Sequence, residues 1–284
     1  MPIERTSVIL KDAEKHGYGV AAFNIFNYET IAWAIQAAEE ERIPVIIQFY
    51  PGFDRFIPME VVTAATKALA AKASIPVGLH LDHSNKYEDA IRGAECGFTS
   101  IMIDGSTLDF DENADLTKRV VDTAHKMGVE VEAELGHVGS GNNIDDFTNS
   151  SHFTDPEDAI RFIEITNADS LAVSVGNGHG HYVATPSLDF DRIQDIHDSI
   201  SVPIVMHGGS DIPDDQIQRS IACGMSKFNI ATEYNRSFYN AMKKCMEEDQ
   251  GHGYMFRCLA QAENEVKEFL KAKLRVLNPK SYRL

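Results

Sequence analysis

No apolar run in this 284-residue sequence approaches the roughly 20 residues that a membrane-crossing helix needs. The opening stretch MPIERTSVILKDAEKHG also lacks the apolar core of a signal peptide. Both absences predict a soluble, cytoplasmic protein with no membrane partner. Cysteine is scarce: Cys96, Cys223, Cys245 and Cys258 are widely scattered, without the paired spacing of a structural zinc site or a disulfide framework, and read as reduced core residues. Positive charge is outnumbered, with 26 Lys and Arg against 43 Asp and Glu, a formal net charge of −17. Nucleic acid is excluded as a partner, because phosphate contacts along a strand require clustered Lys and Arg. Anionic metabolites are still compatible with a local site.

What is present is a rhythm. Short runs rich in Val, Ile and Phe recur, each followed by a loop and a helical pattern, the order of repeated βα units. They are VAAFNI from Val20, PVIIQF from Pro44, PVGLHLDH from Pro76, SIMIDG from Ser100, VEAELG from Val131, SLAVSVG from Ser170, PIVMHG from Pro203 and KFNIAT from Lys227. Successive runs are far enough apart for a crossover helix, and eight such units close a (β/α)₈ barrel of the TIM type. One α/β domain over residues 1–284 is therefore expected.

Helix punctuation agrees. Pro58 suits a first helical position before MEVVTAATKALAAKA, while Gly97, Gly128 and Gly224 follow apolar-periodic stretches where a C-terminal glycine is favoured. In TDPEDAIRFIEIT, Asp155 can cap, Pro156 can start, and Ala159, Ile160, Ile163 and Ile165 suit a packed face. The polar stretch from Gly136 to Thr154 has no helical period and is expected to form a mobile lid or an ordered surface excursion. From Gly253 to Leu277 the pattern is an added C-terminal amphipathic helix, suited to closing the barrel or to packing on another subunit.

In such a barrel, polar residues at the C-terminal ends of strands meet at one mouth. Asp82 and His83 end the third strand, Asp104 the fourth and His207 the seventh; Glu132 and Glu134 lie on the fifth and His179 just past the sixth. His83, His179 and His207 can supply three neutral imidazoles and leave an open position, the arrangement of catalytic zinc. Asp104 and Glu134 can orient those rings, ligate a displaced metal, or form a salt bridge in the mouth. His80 shares the face of Asp82, but nothing marks it as a fourth ligand. Gly208-Gly209-Ser210 after the seventh strand, with Asn229-Ile230-Ala231-Thr232 at the eighth, places N–H donors where barrels often hold a phosphate; a tight βα turn is the plainer reading.

Taken in order, HLDH (His80 to His83), MIDGS (Met102 to Ser106), EAELG (Glu132 to Gly136), GNGHGHY (Gly176 to Tyr182), HGGSDIPDD (His207 to Asp215) and NIAT (Asn229 to Thr232) resemble class II ketose-bisphosphate aldolases through nearly the whole chain. Asp211 after Gly-Gly-Ser, the chain length and the run ending in Glu233 look closer to the tagatose-bisphosphate branch. The resemblance implies reversible cleavage of a ketose 1,6-bisphosphate, tagatose 1,6-bisphosphate foremost, to dihydroxyacetone phosphate and glyceraldehyde 3-phosphate. It implies one Zn²⁺ per subunit on His83, His179 and His207, with Asp82 exchanging the C4 hydroxyl proton. It makes Gly180, Gly208 to Ser210 and Asn229 to Thr232 the phosphate site. A monovalent cation (Na⁺ or K⁺), a homodimer or homotetramer and a neighbour's arginine on the distal phosphate, with Arg257 a candidate, come from the resemblance alone.

The sequence departs from the family pattern at several points. Gln48-Phe49-Tyr50-Pro51-Gly52 replaces a strand-two ending that carries Ser or Thr in many relatives, and Ser84 follows HLDH. His137 and Ser140 are also unusual, and Gly141-Asn142-Asn143 stands where relatives carry acids, leaving Asp145 or Asp146 as the lid acid that donates a proton to C3. Other substrates in view are fructose 1,6-bisphosphate and a deoxy or inositol-derived phosphoketose. Lys227 raises a Schiff-base mechanism, but its neighbours offer no electron sink and would leave three histidines unexplained. A barrel metallohydrolase would want a His-x-His pair in the first strand, where Asn24-Ile25-Phe26-Asn27 stands; a non-catalytic aldolase-like subunit would not need Asp82 beside three histidines.

Overall fold

The computed structural model describes residues 3–249 and 252–284. Eight strands, β1 (Val20–Asn24), β2 (Val45–Phe49), β3 (Val77–Ser84), β4 (Ser100–Ile103), β5 (Glu130–Leu135), β6 (Ser170–Val173), β7 (Ile204–Met206) and β8 (Met225–Ile230), close into one all-parallel barrel in sequence order. All of their residues except His83 are buried, because one face fills the barrel interior and the other packs under helices. That double burial is why the runs read as apolar stretches rather than alternating ones. β8 begins two residues before Lys227, where the sequence reading started it; Met225 and Ser226 are already buried in the ladder.

The outer ring comprises α2 (Tyr28–Glu41), α3 (Met59–Ala70), α4 (Tyr87–Cys96), α5 (Phe110–Ala124), α7 (Pro156–Thr166), α8 (Phe190–Ser199), α9 (Asp214–Ala222) and α10 (Thr232–Glu248). The N-terminal end of the barrel meets α1 (Thr6–His16), which buries Ile9, Leu10 and Ala13. α11 (Met255–Val276) lies on α10 and α2, burying Val266, Leu270 and Leu274 while Lys267 and Lys271 pair with Glu40. The C-terminal helix therefore packs on its own barrel.

Local punctuation behaves as expected at α7, where the Asp155 carboxylate accepts from the N–H groups of Glu157 and Asp158 and Pro156 opens the helix. Its buried stripe differs: Ala159, Phe162 and Thr166, spaced by three and four, face inward, whereas Ile165 falls off that stripe and is 41% exposed. Pro58 sits one residue before α3 rather than inside it. The Gly136–Thr154 stretch is not without helix. It contains α6 (Ile144–Thr148), capped by Asn143, and a 3₁₀ turn at Ser150–His152 capped by Asn149. Such short helices carry too few apolar residues for a period to show; Phe147 alone is buried, edge-on to Tyr182 at 5.2 Å. The excursion is also tied to the barrel mouth, through Gly141 N–H to His179 O (2.7 Å) and His179 N–H to Gly139 O (2.7 Å).

Candidate active site

The C-terminal mouth collects the expected side chains. β3 shifts register against β4 between Leu81 and Ser84, and His83 adopts a left-handed backbone (φ 43°), with its ring against those of His179 and His207. His179 arrives from the β6–α8 loop and His207 from the end of β7. Ring centroids lie 4.5 Å (His83 to His207), 4.8 Å (His83 to His179) and 5.6 Å (His179 to His207) apart.

Each ring has one nitrogen tied down from outside. His83 Nδ1 is 3.0 Å from Asp104 Oδ2, His179 Nδ1 is 3.1 Å from Val138 O, and His207 Nε2 is 3.0 Å from Glu132 Oε1. The remaining nitrogens face one another. His83 Nε2 and His179 Nε2 are 3.1 Å apart, and His207 Nδ1 is buried without a hydrogen-bond partner. Tetrahedral Zn–N bonds of about 2.0–2.1 Å put ligand nitrogens roughly 3.3 Å apart, so this donor set fits a zinc ion. Outer partners on every ring are the usual device for fixing which nitrogen faces a metal. Glu134 Oε2 lies 3.2 Å from His207 Nδ1, without hydrogen-bond alignment, and Glu134 also groups with His83 and Asp104 in a second constellation able to hold a cation.

Electrostatics follow from burial and neighbours. Burial pushes His179 down to about 4, helped by the two other rings. Burial also works against a charged His207, but the carboxylates of Glu132 and Glu134 outweigh it and push that ring up to about 10. Asp82 is 4% exposed; burial disfavours its charge, yet His83, His207 and Lys227 hold its carboxyl below the ordinary range, so it is ionised at neutral pH. Its oxygens accept from Asn24 Nδ2 (2.8 Å) and Asn229 Nδ2 (3.2 Å), and Gln48 Nε2 in turn donates to Asn24 Oδ1 (3.0 Å). Sequence alone assigns no role to Asn24 or Gln48. Their signal is available in hindsight: a polar residue at an inward position of an otherwise apolar strand.

A cavity of about 230 Å³ opens beside these groups, lined by Asp82, His83, His179, Gly180, Gly208, Ser210, Asn229, Ala231 and Thr232, with Asn24, Tyr50, Phe53 and Asn235 completing the wall. Gly180 has φ 87°, which glycine alone adopts without cost. Two expected members of the anion site differ. Gly209 spends its N–H on Asn229 O (3.0 Å), and Ile230 points into the core at 2% exposure; neither lines the cavity. Asn229 does line it, but its amide also orients Asp82. Both lid acids lie off the cavity wall. Asp146 accepts from Ser140 N–H (2.7 Å) and Asn143 Nδ2 (2.6 Å), shaping its own loop, while Asp145 is exposed beside Asn149.

Lower in the barrel, Lys227 Nζ is fully buried, 2.8 Å from Glu132 Oε2, and His80 Nδ1 contacts Ser100 Oγ at 2.8 Å. Neither reaches the cavity, which removes Lys227 as a Schiff-base candidate and His80 as a ligand. A larger cleft of about 310 Å³ lies among α1, α8 and α9, away from the three converging imidazoles.

A closed parallel barrel with an ionised carboxylate and three convergent imidazoles at its C-terminal mouth is the framework of a barrel lyase. The family model described as fructose-bisphosphate aldolase class-II matches residues 4–281, and the chain belongs to that family of aldolases, carbon–carbon lyases acting on phosphorylated sugars. It is similar to the YdjI aldolase of Escherichia coli K12, with 36% identity, 98% of this chain and 97% of that one covered, and a TM-score of 0.86. The fructose-bisphosphate aldolase of Campylobacter jejuni shares the fold, at 24% identity over 98% of this chain and 96% of that one, TM-score 0.85.

Proposed function

We propose that the chain, acting as one domain, is a zinc-dependent aldolase that cleaves a ketose 1,6-bisphosphate reversibly into dihydroxyacetone phosphate and glyceraldehyde 3-phosphate. The observation that carries the reading is the convergence of three imidazoles beside Asp82, with His83 Nε2 and His179 Nε2 3.1 Å apart and His207 Nδ1 buried without a hydrogen-bond partner. His83, His179 and His207 would hold the ion, with Asp104, Val138 O and Glu132 fixing the rings and Glu134 close by as an alternative ligand. Zinc bound there supplies a Lewis acid for the oxygens on C2 and C3 of the sugar. Gly180, Gly208, Ser210, Ala231 and Thr232 present the glycine-rich turns and helix start that suit the 1-phosphate. Asp82, held ionised against its burial by His83, His207 and Lys227 and aimed by Asn24 and Asn229, takes the proton of the C4 hydroxyl as the C3–C4 bond breaks and the aldehyde leaves.

Among bisphosphates, tagatose 1,6-bisphosphate is the expected substrate, supported by Asp211 and the run from Asn229 to Glu233. The reading extends to a monovalent cation beside the phosphate, a homodimer or homotetramer and a cytoplasmic location, on the strength of the family pattern. A coupled triose-phosphate assay with tagatose and fructose 1,6-bisphosphates in parallel tests it. Cleavage lost on chelation and reduced about 10²- to 10⁴-fold in Asp82→Ala supports the mechanism and ranks the C4 epimers; chelator-resistant cleavage sinks the zinc reading.

A further inference from the structure

Ser210 is followed by a residue in an unexpected backbone state. Asp211 has φ 61°, a left-handed conformation that Asp and Asn tolerate better than other side chains, at a modest cost that its contacts can offset. Here the Asp211 carboxylate takes both arms of the Arg236 guanidinium, NH1 at 2.9 Å and NH2 closer still, and lies 3.3 Å from His181 Nδ1. Those partners come from different segments. His181 adjoins Gly180 in the β6–α8 loop, Asp211 adjoins Ser210 in the β7–α9 loop, and Arg236 is one turn into α10, which starts at Thr232. Gly180, Ser210 and Thr232 all line the cavity, so one carboxylate joins the three segments that compose its anion-facing wall. A further bond closes the set, from Glu233 N–H to Ser210 Oγ at 3.2 Å.

A carboxylate beside a phosphate site is a repulsive choice unless its charge is matched. Arg236 matches it in planar, bidentate fashion and is thereby kept from the cavity, whose wall it does not join. We propose that Asp211 is a positioning residue: by tying Arg236 and His181 to the Ser210 turn it assembles the phosphate cup before substrate arrives, so that binding need not order three separate segments. The proposal rests on reading this wall as the phosphate site. Preassembled donors raise affinity by cutting the ordering cost of binding, without touching the reacting bonds.

The test measures the Kd of inorganic phosphate by calorimetry, and KM and kcat for cleavage, in wild type, Asp211→Asn, Asp211→Gly, Arg236→Gln and the Asp211→Asn/Arg236→Gln pair. Asparagine tolerates the left-handed backbone and glycine welcomes it, so both variants keep the turn and lose only the tie. Expected are a Kd and a KM raised about 10-fold in each single variant, kcat within about twofold, and a pair no worse than either single change, as for residues acting through one contact. A thermal midpoint at or above wild type in Asp211→Gly separates the effect from misfolding. Unchanged phosphate affinity in folded Asp211→Asn overturns the tie while leaving the phosphate site standing. Tighter binding in that variant also overturns it, by showing Arg236 to be a withheld ligand. No phosphate binding by wild type removes the site reading and the tie together.

Discussion

Glu132 and Glu134 leave the same strand on the same face, two residues apart, and are equally buried, yet their surroundings are opposite. Glu132 spends both oxygens, one on Lys227 at 2.8 Å and one on His207 at 3.0 Å. Glu134, one layer nearer the mouth, makes no aligned hydrogen bond through Oε2 and has only an ion-pair contact, 3.2 Å from His207 Nδ1. Buried polar groups left open are costly, so a fold keeps them where something else is to fill the gap. The contrast divides the barrel interior into a lower layer whose charges support the structure and an upper layer whose valences are reserved.

The largest effect should come from breaking the lower layer. Glu132→Ala strands a buried Lys227 ammonium, and loss of one partner of a buried pair costs about 3–5 kcal/mol. Urea unfolding of the zinc-free protein measures it. A loss under about 1 kcal/mol would show that Lys227 finds water or another acceptor, and the division between layers would fail.

Glu134→Gln is the matching change above. It keeps the shape, so the zinc-free protein should unfold within about 1 kcal/mol of wild type. Zinc affinity, measured by competition with a chromophoric chelator at a pH above 10, where His207 carries no competing proton, should fall about 10-fold or more, because a negative charge next to the ion is lost. A Glu134→Gln protein as unstable as Glu132→Ala, with unchanged zinc affinity, would make both glutamates structural.

The two layers were not equally legible in the sequence. Strand number and order could be read because every barrel strand is buried on both sides, which concentrates Val, Ile and Phe into runs. The three histidines and Asp82 could be read because they stand at strand ends, where barrel geometry sends them to one place. The lower network could not: Glu132, Lys227 and His80 lie inside apolar runs, and their pairing depends on the register between strands far apart in the chain. Asn24 and Gln48 stayed silent for the same reason. Asp145 and Asp146 show a different limit: proximity in sequence to the mouth does not say whether a carboxylate faces the cavity or closes its own turn, as Asp146 does on Ser140 and Asn143.

A proton count sharpens the contrast most finely. With Glu132 at Nε2 and Glu134 beside Nδ1, metal-free His207 is pushed from the ordinary 6.5 up to about 10. Its folded-state value is raised, so the ring stays charged through the neutral range and loses its proton as pH rises through that point. Zinc needs Nδ1 bare and therefore competes with this proton. Affinity for zinc should rise up to about 10-fold per pH unit between roughly pH 7 and 10, and binding near pH 7.5 should release about one proton from this ring. Calorimetry in buffers of different ionisation enthalpy counts it. Glu134→Gln removes one of the two charges that hold the proton, so that variant should release less at the same pH. Equal release from both proteins would mean that Glu132 alone sets the charge of His207, and that the upper carboxylate acts on the metal without acting on the ring.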